Sequence, residues 1–316
     1  MRMLLNLFLL LSIFLVFSAG IFIAATWAPE KPVEELKARW AKPPSMFLEI
    51  EGMKVHVRDE GPRDDPSPVV LLHGTGSSLY AWDGWTEALK DRRRVIRFDI
   101  AGFGLTGPAP DGLYSRGRDV ELLIAVLDKL GVQRCVVGGN SLGGSVAWRA
   151  ALEHPDRFEG LILVDAGGYP SHATSVPIGF RLAAMPGISW LMQHTLPRIL
   201  VEQGYRNIFG DPDKVTSEMI DRSVELTQRA GNRRALIARS RQHQPDNDVS
   251  RISQLKIPTL ILWGGLDRLV PPDDAERFHR EIPGSTLVIF DNLGHAPEEE
   301  DPVRTVAAVK QFLGYP

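Results

Sequence analysis

The chain has 316 residues, 36 Lys+Arg against 39 Asp+Glu, a formal net charge of -3 and one cysteine. At 44% apolar and 24% charged residues it has the make-up of a folded globular protein, which excludes a disordered or collagen-like chain. One cysteine excludes an internal disulfide and a cysteine-based zinc site, and the even charge balance speaks against nucleic acid as a main partner.

From Met3 to Ala25 no charge interrupts a run of Leu, Ile, Phe and Val. A helix rises about 1.5 Å per residue, so roughly 20 such residues cross the hydrocarbon core of a bilayer. Residues 1–28 are therefore expected to form a single N-terminal membrane anchor. The alternative is a cleaved signal that leaves a secreted or periplasmic protein, with Ser18-Ala19-Gly20 as the small residues at the cut. Against it, the apolar run continues through Ile21-Phe22-Ile23, beyond the 7–15 or so residues of a signal's apolar region. A core helix is the third option, disfavoured because nothing polar marks a solvent face. Basic residues flank both ends (Arg2; Lys31, Lys37, Arg39), so the orientation stays open. Residues 29–45, rich in proline and charge, read as a linker with a short helix over 33–40.

The body alternates strand and helix. Residues 47–50 and 54–58 flank Glu51-Gly52 and predict a β-hairpin. Apolar runs at 69–72, 95–98, 135–137, 161–164, 260–263 and 287–290 have the length of strands buried on both faces, as in a parallel sheet. Trp82 and Trp85 are expected to pack inside the first helix layer, and Cys135 to be an inert core residue. Val120, Leu123, Leu127 and Leu130 recur at helical spacing, with Gly131 placed to end their helix. Residues 145–152 and 302–313 read as helices too, the latter with Asp301 as N-cap and Pro302 at its first position.

This alternation predicts an α/β fold with helices on both faces of a mostly parallel sheet, built from residues 46–168 and 257–316. The rhythm breaks over 169–256, where helix-like segments at 178–185, 188–199, 217–228 and 233–243 follow one another without a strand, as a helical insertion would. Ile188, Leu191, Met192, Leu196, Ile199 and Leu200 form an apolar stripe there, which either packs on the sheet domain or meets an acyl chain or membrane.

Gly139-Asn140-Ser141-Leu142-Gly143 follows the run 135–137 and opens the next helix. A serine at so sharp a strand-to-helix turn needs neighbours without side chains, and the turn lifts its hydroxyl above the sheet. A serine hydroxyl becomes nucleophilic only when a base takes its proton and an acid orients that base. Asp267, just past the run 260–263, and His295, in the loop after the run 287–290, emerge on the same sheet edge in that chain order. Asp165, at the end of the run 161–164, is the competing acid. His73-Gly74-Thr75-Gly76 follows the run 69–72, and the Thr75 and Leu142 N–H groups are the expected oxyanion donors. His73 is read as a partner of local backbone in preference to a second base.

These residues, with Asp99-Ile-Ala-Gly102-Phe103-Gly104, His154-Pro155, Gly264-Gly265-Leu266-Asp267 and Gly294-His295, resemble the α/β-hydrolase superfamily of esterases, lipases and C–C hydrolases. The resemblance runs from Phe47 to the end. It implies an eight-stranded, mostly parallel sheet with a helical cap at 169–256, a triad of Ser141, Asp267 and His295, and no cofactor. Dehalogenase and epoxide-hydrolase relatives carry an aspartate where Ser141 stands, which argues against those activities. A membrane anchor ahead of such a domain is similar to some membrane-bound monoacylglycerol lipases. The expected function is a serine hydrolase of carboxylic esters with an apolar, lipid-like acyl or alcohol moiety, whose partners are a small-molecule ester and, through the N-terminal segment, a membrane. The alternatives are hydrolysis of a C–C bond in a vinylogous diketone and a catalytically silent binding module.

Overall fold

A computed structural model describes residues 2–185, 187–242 and 247–315. Eight strands among them form one sheet: β1 (Met46–Ile50), β2 (Met53–Glu60), β3 (Val69–Leu72), β4 (Val95–Phe98), β5 (Cys135–Asn140), β6 (Phe158–Val164), β7 (Thr259–Gly264) and β8 (Thr286–Phe290). Their order is β1-β2-β4-β3-β5-β6-β7-β8, with β1, β2 and β4 antiparallel and every pairing from β4 through β8 parallel.

The apolar runs become strands because successive side chains alternate between faces and both faces are covered. Val70, Leu72, Val137, Leu161, Leu163, Ile261 and Trp263 point to one face, under Val120, Leu123 and Leu127 of the helix Arg116–Lys129, Val146 and Trp148 of the helix Leu142–Glu153, and Phe278 of the helix Asp273–Glu281. Val69, Leu71, Val136, Ile162, Val164, Leu260 and Leu262 point to the other, under Trp82 and Trp85, and under Val306 and Val309 of the helix Pro302–Phe312. Trp82 and Trp85 are fully buried, packing in the first helix layer as expected. Asp301 caps its helix, its side chain accepting from the Arg304 N–H at 3.1 Å. With each large buried side chain contributing about 1.5–3 kcal/mol, these two layers dominate the stability of the fold.

The helix Arg2–Thr26 is long and apolar enough to cross a membrane, and none of its residues is buried against protein. The core-helix reading is thereby excluded. The chain that leaves it is tied down at once. Leu196 N–H donates to the Thr26 carbonyl at 2.9 Å, and Ala28 N–H to the His194 carbonyl at 2.8 Å. Residues 29–45, expected as a linker, are packed instead. Leu36 and Trp40 of the helix Val33–Trp40 bury against Leu79, Tyr80, Leu105 and Leu226, and the Trp40 indole donates to Glu225 at 2.6 Å. Proline and charge in this stretch hide two buried apolar anchors.

Between β6 and β7 lie five α-helices, Ile178–Ala184, Ser189–His194, Arg198–Ile208, Ser217–Gln228 and Asn232–Gln242, among the described residues. The helix expected over 188–199 is two helices broken at Thr195-Leu196-Pro197. Proline has no N–H to donate and drives the residue before it out of helical conformation. The freed backbone at 194–196 is what receives the chain from the N-terminal helix. The apolar stripe is therefore split between two elements. His243, the last residue of the segment expected over 233–243, lies outside the described residues.

Arg239, buried on the helix Asn232–Gln242, joins this region to the sheet domain by a two-pronged pair with Asp119 at 2.6 and 2.9 Å and a bond to the Ala101 carbonyl at 2.8 Å. Removing one member strands the other charge away from water. Arg239→Ala is expected to cost about 3–5 kcal/mol in chemical denaturation, against less than about 1 kcal/mol for removal of the exposed Arg280–Glu276 pair.

Candidate active site

β5 ends at Asn140 and the next helix begins at Leu142, so Ser141 alone makes the turn, at φ 52° and ψ -110°. A non-glycine residue reaches this left-handed region only where its surroundings enforce it. Those surroundings are close-packed backbone. A Cβ on Gly139 would overlap the Gly143 carbonyl, and one on Gly143 would overlap the carbonyl of Leu72 at the end of β3. The strained residue keeps its backbone partners: Ser141 N–H donates to Val164, and its carbonyl accepts from Ser145 and Gly167, each at 3.0 Å. Its side chain is partly exposed while its neighbours in the turn are buried.

The other two residues come from loops zipped together past the ends of β7 and β8. Gly265 N–H donates to Phe290 and Leu266 N–H to Leu293, both at 2.8 Å. Asp267 Oδ1 accepts from the N–H groups of Leu269 (2.7 Å) and Val270 (3.0 Å), and Asp267 Oδ2 lies 2.6 Å from His295 Nδ1. Against a carboxylate Nδ1 is the donor, which leaves the Nε2 lone pair as the basic site. Both side chains are buried. The histidine is held from two sides. Its carbonyl accepts from Asn140 Nδ2 at 2.8 Å, and its N–H donates to the Ile208 carbonyl at 2.6 Å. Asn140 thus ties the His295 loop to the residue preceding Ser141.

Asp165, the competing acid, follows β6 at φ 43° and is wholly buried. Its Oδ1 accepts from the Gly264 N–H at 3.0 Å, but the imidazole N–H goes to Asp267. Burial and the neighbouring Asp267 push its carboxyl well above the ordinary range. Asp165, Asp267 and His295 are also the group among the described residues whose ligand atoms lie close enough, within 4.8 Å, to hold a metal ion. His295 Nδ1 and Asp267 Oδ2 are committed to each other, so an ion there would displace that bond.

The loop His73-Gly74-Thr75-Gly76 lies against the serine. A Cβ on Gly74 would stand 3.3 Å from Ser141 Cβ and 2.5 Å from Asn140 Oδ1. Thr75 is exposed, and Leu142 is the first residue of its helix, where an amide has no partner within the helix. His73 fastens the loop: its Nδ1 bonds the Gly74 carbonyl at 2.8 Å and its Nε2 accepts from the Ile100 N–H at 3.0 Å. Burial lowers its pKa, which keeps it neutral. Asp99 holds the neighbouring segments, bonding His56 and the N–H groups of Leu79 and Leu105 at 2.8 Å each. From the β6–β7 region, Phe180 reaches over the loop, its ring 3.5 Å from where a Gly76 Cβ would be.

Three supports were not legible. Asn140 is the variable position inside the serine motif. Ile208 acts through its carbonyl, which carries no sequence mark. Glu300 accepts from the N–H groups of Gly210, Asp211 and Gly294 at 2.8–2.9 Å, and so pins the β6–β7 region to the residue before His295.

A strand-order reversal in the sheet, a strained serine turn and an aspartate-bound histidine at the strand ends define an α/β hydrolase. The sequence profile of the alpha/beta hydrolase family matches residues 69–309, and the chain belongs to that family. It is a hydrolase. It is similar to a 2-hydroxymuconate semialdehyde hydrolase of Pseudomonas putida, 30% identical over 271 residues that span 83% of this chain and 91% of the relative. An uncharacterised protein of Mycobacterium tuberculosis H37Rv is 32% identical over 302 residues, 90% of this chain and 84% of that one. Among solved structures, a meta-cleavage product hydrolase of Pseudomonas fluorescens IP01 superposes with a TM-score of 0.73 at 26% identity, covering 85% of this chain and 96% of its own. A membrane phospholipase A superposes with a TM-score of 0.73 at 22% identity, a likeness of fold that covers 99% of this chain and 97% of that one.

Cys135 lies at the start of β5, and burial pushes its thiol up to about 12. The folded protein is expected to resist Ellman's reagent at pH 8 and to release one equivalent in denaturant; rapid labelling of the native protein would contradict this burial.

Proposed function

We propose that the protein is a membrane-anchored serine hydrolase of carboxylic esters with an apolar acyl or alcohol moiety. The observation that carries this reading is the 2.6 Å His295–Asp267 bond, fastened by Asn140 beside the strained Ser141. His295 Nε2 takes the Ser141 proton as the oxygen attacks the ester carbonyl. The N–H groups of Thr75 and Leu142 receive the developing oxyanion. His295 then protonates the departing alkoxide, leaving an acyl-enzyme, and water activated by the same imidazole releases the acid. Asp267 holds the imidazole in the tautomer that makes Nε2 the base. Residues 169–256 serve as the cap that shapes the substrate pocket, a role supported by Phe180 over the loop and the Ile208 carbonyl on His295.

An apolar substrate and a membrane location draw support from the surface where the N-terminal helix ends. Trp27 stacks on His194 (ring centroids 5.3 Å), and His194 lies against Trp190 (4.6 Å). Trp27 and Trp190 are 50% and 58% exposed, and Ile199, on the next helix, 56%. Indole rings favour the membrane–water boundary, where one edge is apolar and the other wet. A second reading, hydrolysis of a C–C bond in a dienoate ring-fission product by the same three residues, is favoured by the names of the Pseudomonas relatives.

A fluorophosphonate probe is expected to label the wild type and not Ser141→Ala, which lowers turnover at least about a thousandfold. An unlabelled wild type would favour a silent binding module. On a panel of aryl esters of graded chain length and dienoates, kcat/KM is expected to rise with acyl length; a dienoate preferred over every ester would install the second reading. The full chain is expected to float with lipid vesicles through its N-terminal helix, and a chain lacking residues 2–26 to stay in the soluble fraction. A mature protein found by mass to lack that helix would establish the signal reading.

A further inference from the structure

Behind the imidazole two buried acids stand side by side. Asp165, directly after β6, and Asp267, after β7, each have a carboxylate oxygen within 4.8 Å of the other's and of a His295 ring nitrogen. Two negative charges that close and out of water repel strongly, so the pair favours holding one proton. The hydrogen bonds show on which member. Asp267 accepts from three N–H groups, those of Leu269, Val270 and the His295 ring. Asp165 accepts from one, the Gly264 N–H at Oδ1, and its buried Oδ2 meets no donor. Charge settles where the donors are. The charged groups that face Asp165 supply no cation to offset a second charge: Asp267 and Glu298 are both acids, and His295 is already bonded to Asp267. Asp274, which adds to the field at Asp267, is a third acid.

Resting on the reading of Ser141, Asp267 and His295 as the triad, we propose that Asp165 carries the proton of this acid pair and donates its Oδ2 hydrogen to the Asp267 carboxylate, as a positioning residue for the triad. No proton leaves the pair during turnover. The bond holds Asp267 in register with His295 and draws some of its charge away, so the carboxylate stabilises the imidazolium less than one with a donor fewer would. The burial that pushes the Asp165 carboxyl well up acts in the same direction.

Two substitutions separate hydrogen bond from charge. Asp165→Asn keeps an oxygen for Gly264 and puts an N–H where the hydroxyl was. Asp165→Gly suits the φ of 43° and removes the donor without straining the backbone. On an aryl ester, Asp165→Asn is expected to stay within about threefold of wild type with the acid limb of its pH profile unmoved, and Asp165→Gly to lose about tenfold or more in kcat/KM with that limb displaced upward. Full activity with an unmoved limb in Asp165→Gly overturns the proposal. So does a loss beyond about a hundredfold in Asp165→Asn, which would make Asp165 a working charge.

Stability gives a readout that does not need catalysis. A carboxyl whose folded pKa is raised contributes stability that is full below its unfolded value, near 3.9, and is lost as pH climbs toward the folded value. Asparagine has no proton to keep. The Tm of Asp165→Asn relative to wild type is therefore expected to improve by about 2–4 °C or more between pH 5 and pH 8. A difference that does not change with pH overturns the shared proton even if the triad reading stands. A wild type that takes up no fluorophosphonate sinks the triad reading, while the melting comparison still judges the acid pair.

Discussion

One turn with room for no side chain around it governs this molecule. Between β5 and the helix that follows, the chain reverses within the single residue Ser141, and the backbones of β3 and of the helix close in from either side. A left-handed non-glycine residue costs about 1–3 kcal/mol. The cost is offset because Ser141 leaves no backbone group orphaned and because the strands beneath it are buried on both faces. The same constraint lines up the ends of β3, β5 and β6, so that the loop carrying Thr75, the serine and the buried Asp165 all lie along one rim of the sheet.

The imidazole is placed by a second set of backbone contacts. Loops after β7 and β8 are zipped to each other, and the helix Arg198–Ile208 presents its last carbonyl to the His295 N–H. The residues just ahead of that helix receive the chain leaving the N-terminal apolar helix. One helix therefore touches the exit of the candidate membrane span at one end and the candidate base at the other. The region between β6 and β7 is part of the frame that positions His295.

Three buried aspartates show how hydrogen-bond supply decides charge. Asp99 meets His56 and two N–H groups, and the His56 ring beside it helps hold its carboxyl below the usual range despite complete burial. Asp267 has three N–H donors. Asp165, as buried as Asp99, has one donor and an acidic neighbour, and its carboxyl is driven up. Burial works to raise the carboxyls of Asp99 and Asp165 alike; what differs is the number of donors pointed at each and the charge of the neighbour.

Strand positions, the serine turn, the order of Asp267 and His295, and the caps at Gly131 and Asp301 were legible because each rests on local rules of alternation, backbone conformation and hydrogen bonding. The break at Pro197 was legible in principle, since the residue before a proline leaves the helix, but the apolar spacing across it masked the signal. Chain order favoured Asp267 over Asp165 as partner of the imidazole, but the mutual approach of the β7 and β8 loops that hands the N–H to Asp267 was not legible. Nor were the packing of residues 29–45, the Ile208 carbonyl or the Glu300 clamp, which depend on backbone groups far apart in the chain. Local sequence set which residues reach the rim of the sheet. Tertiary packing decided which of them meet, since hydrogen bonds between loops depend on distances that no short stretch of chain encodes.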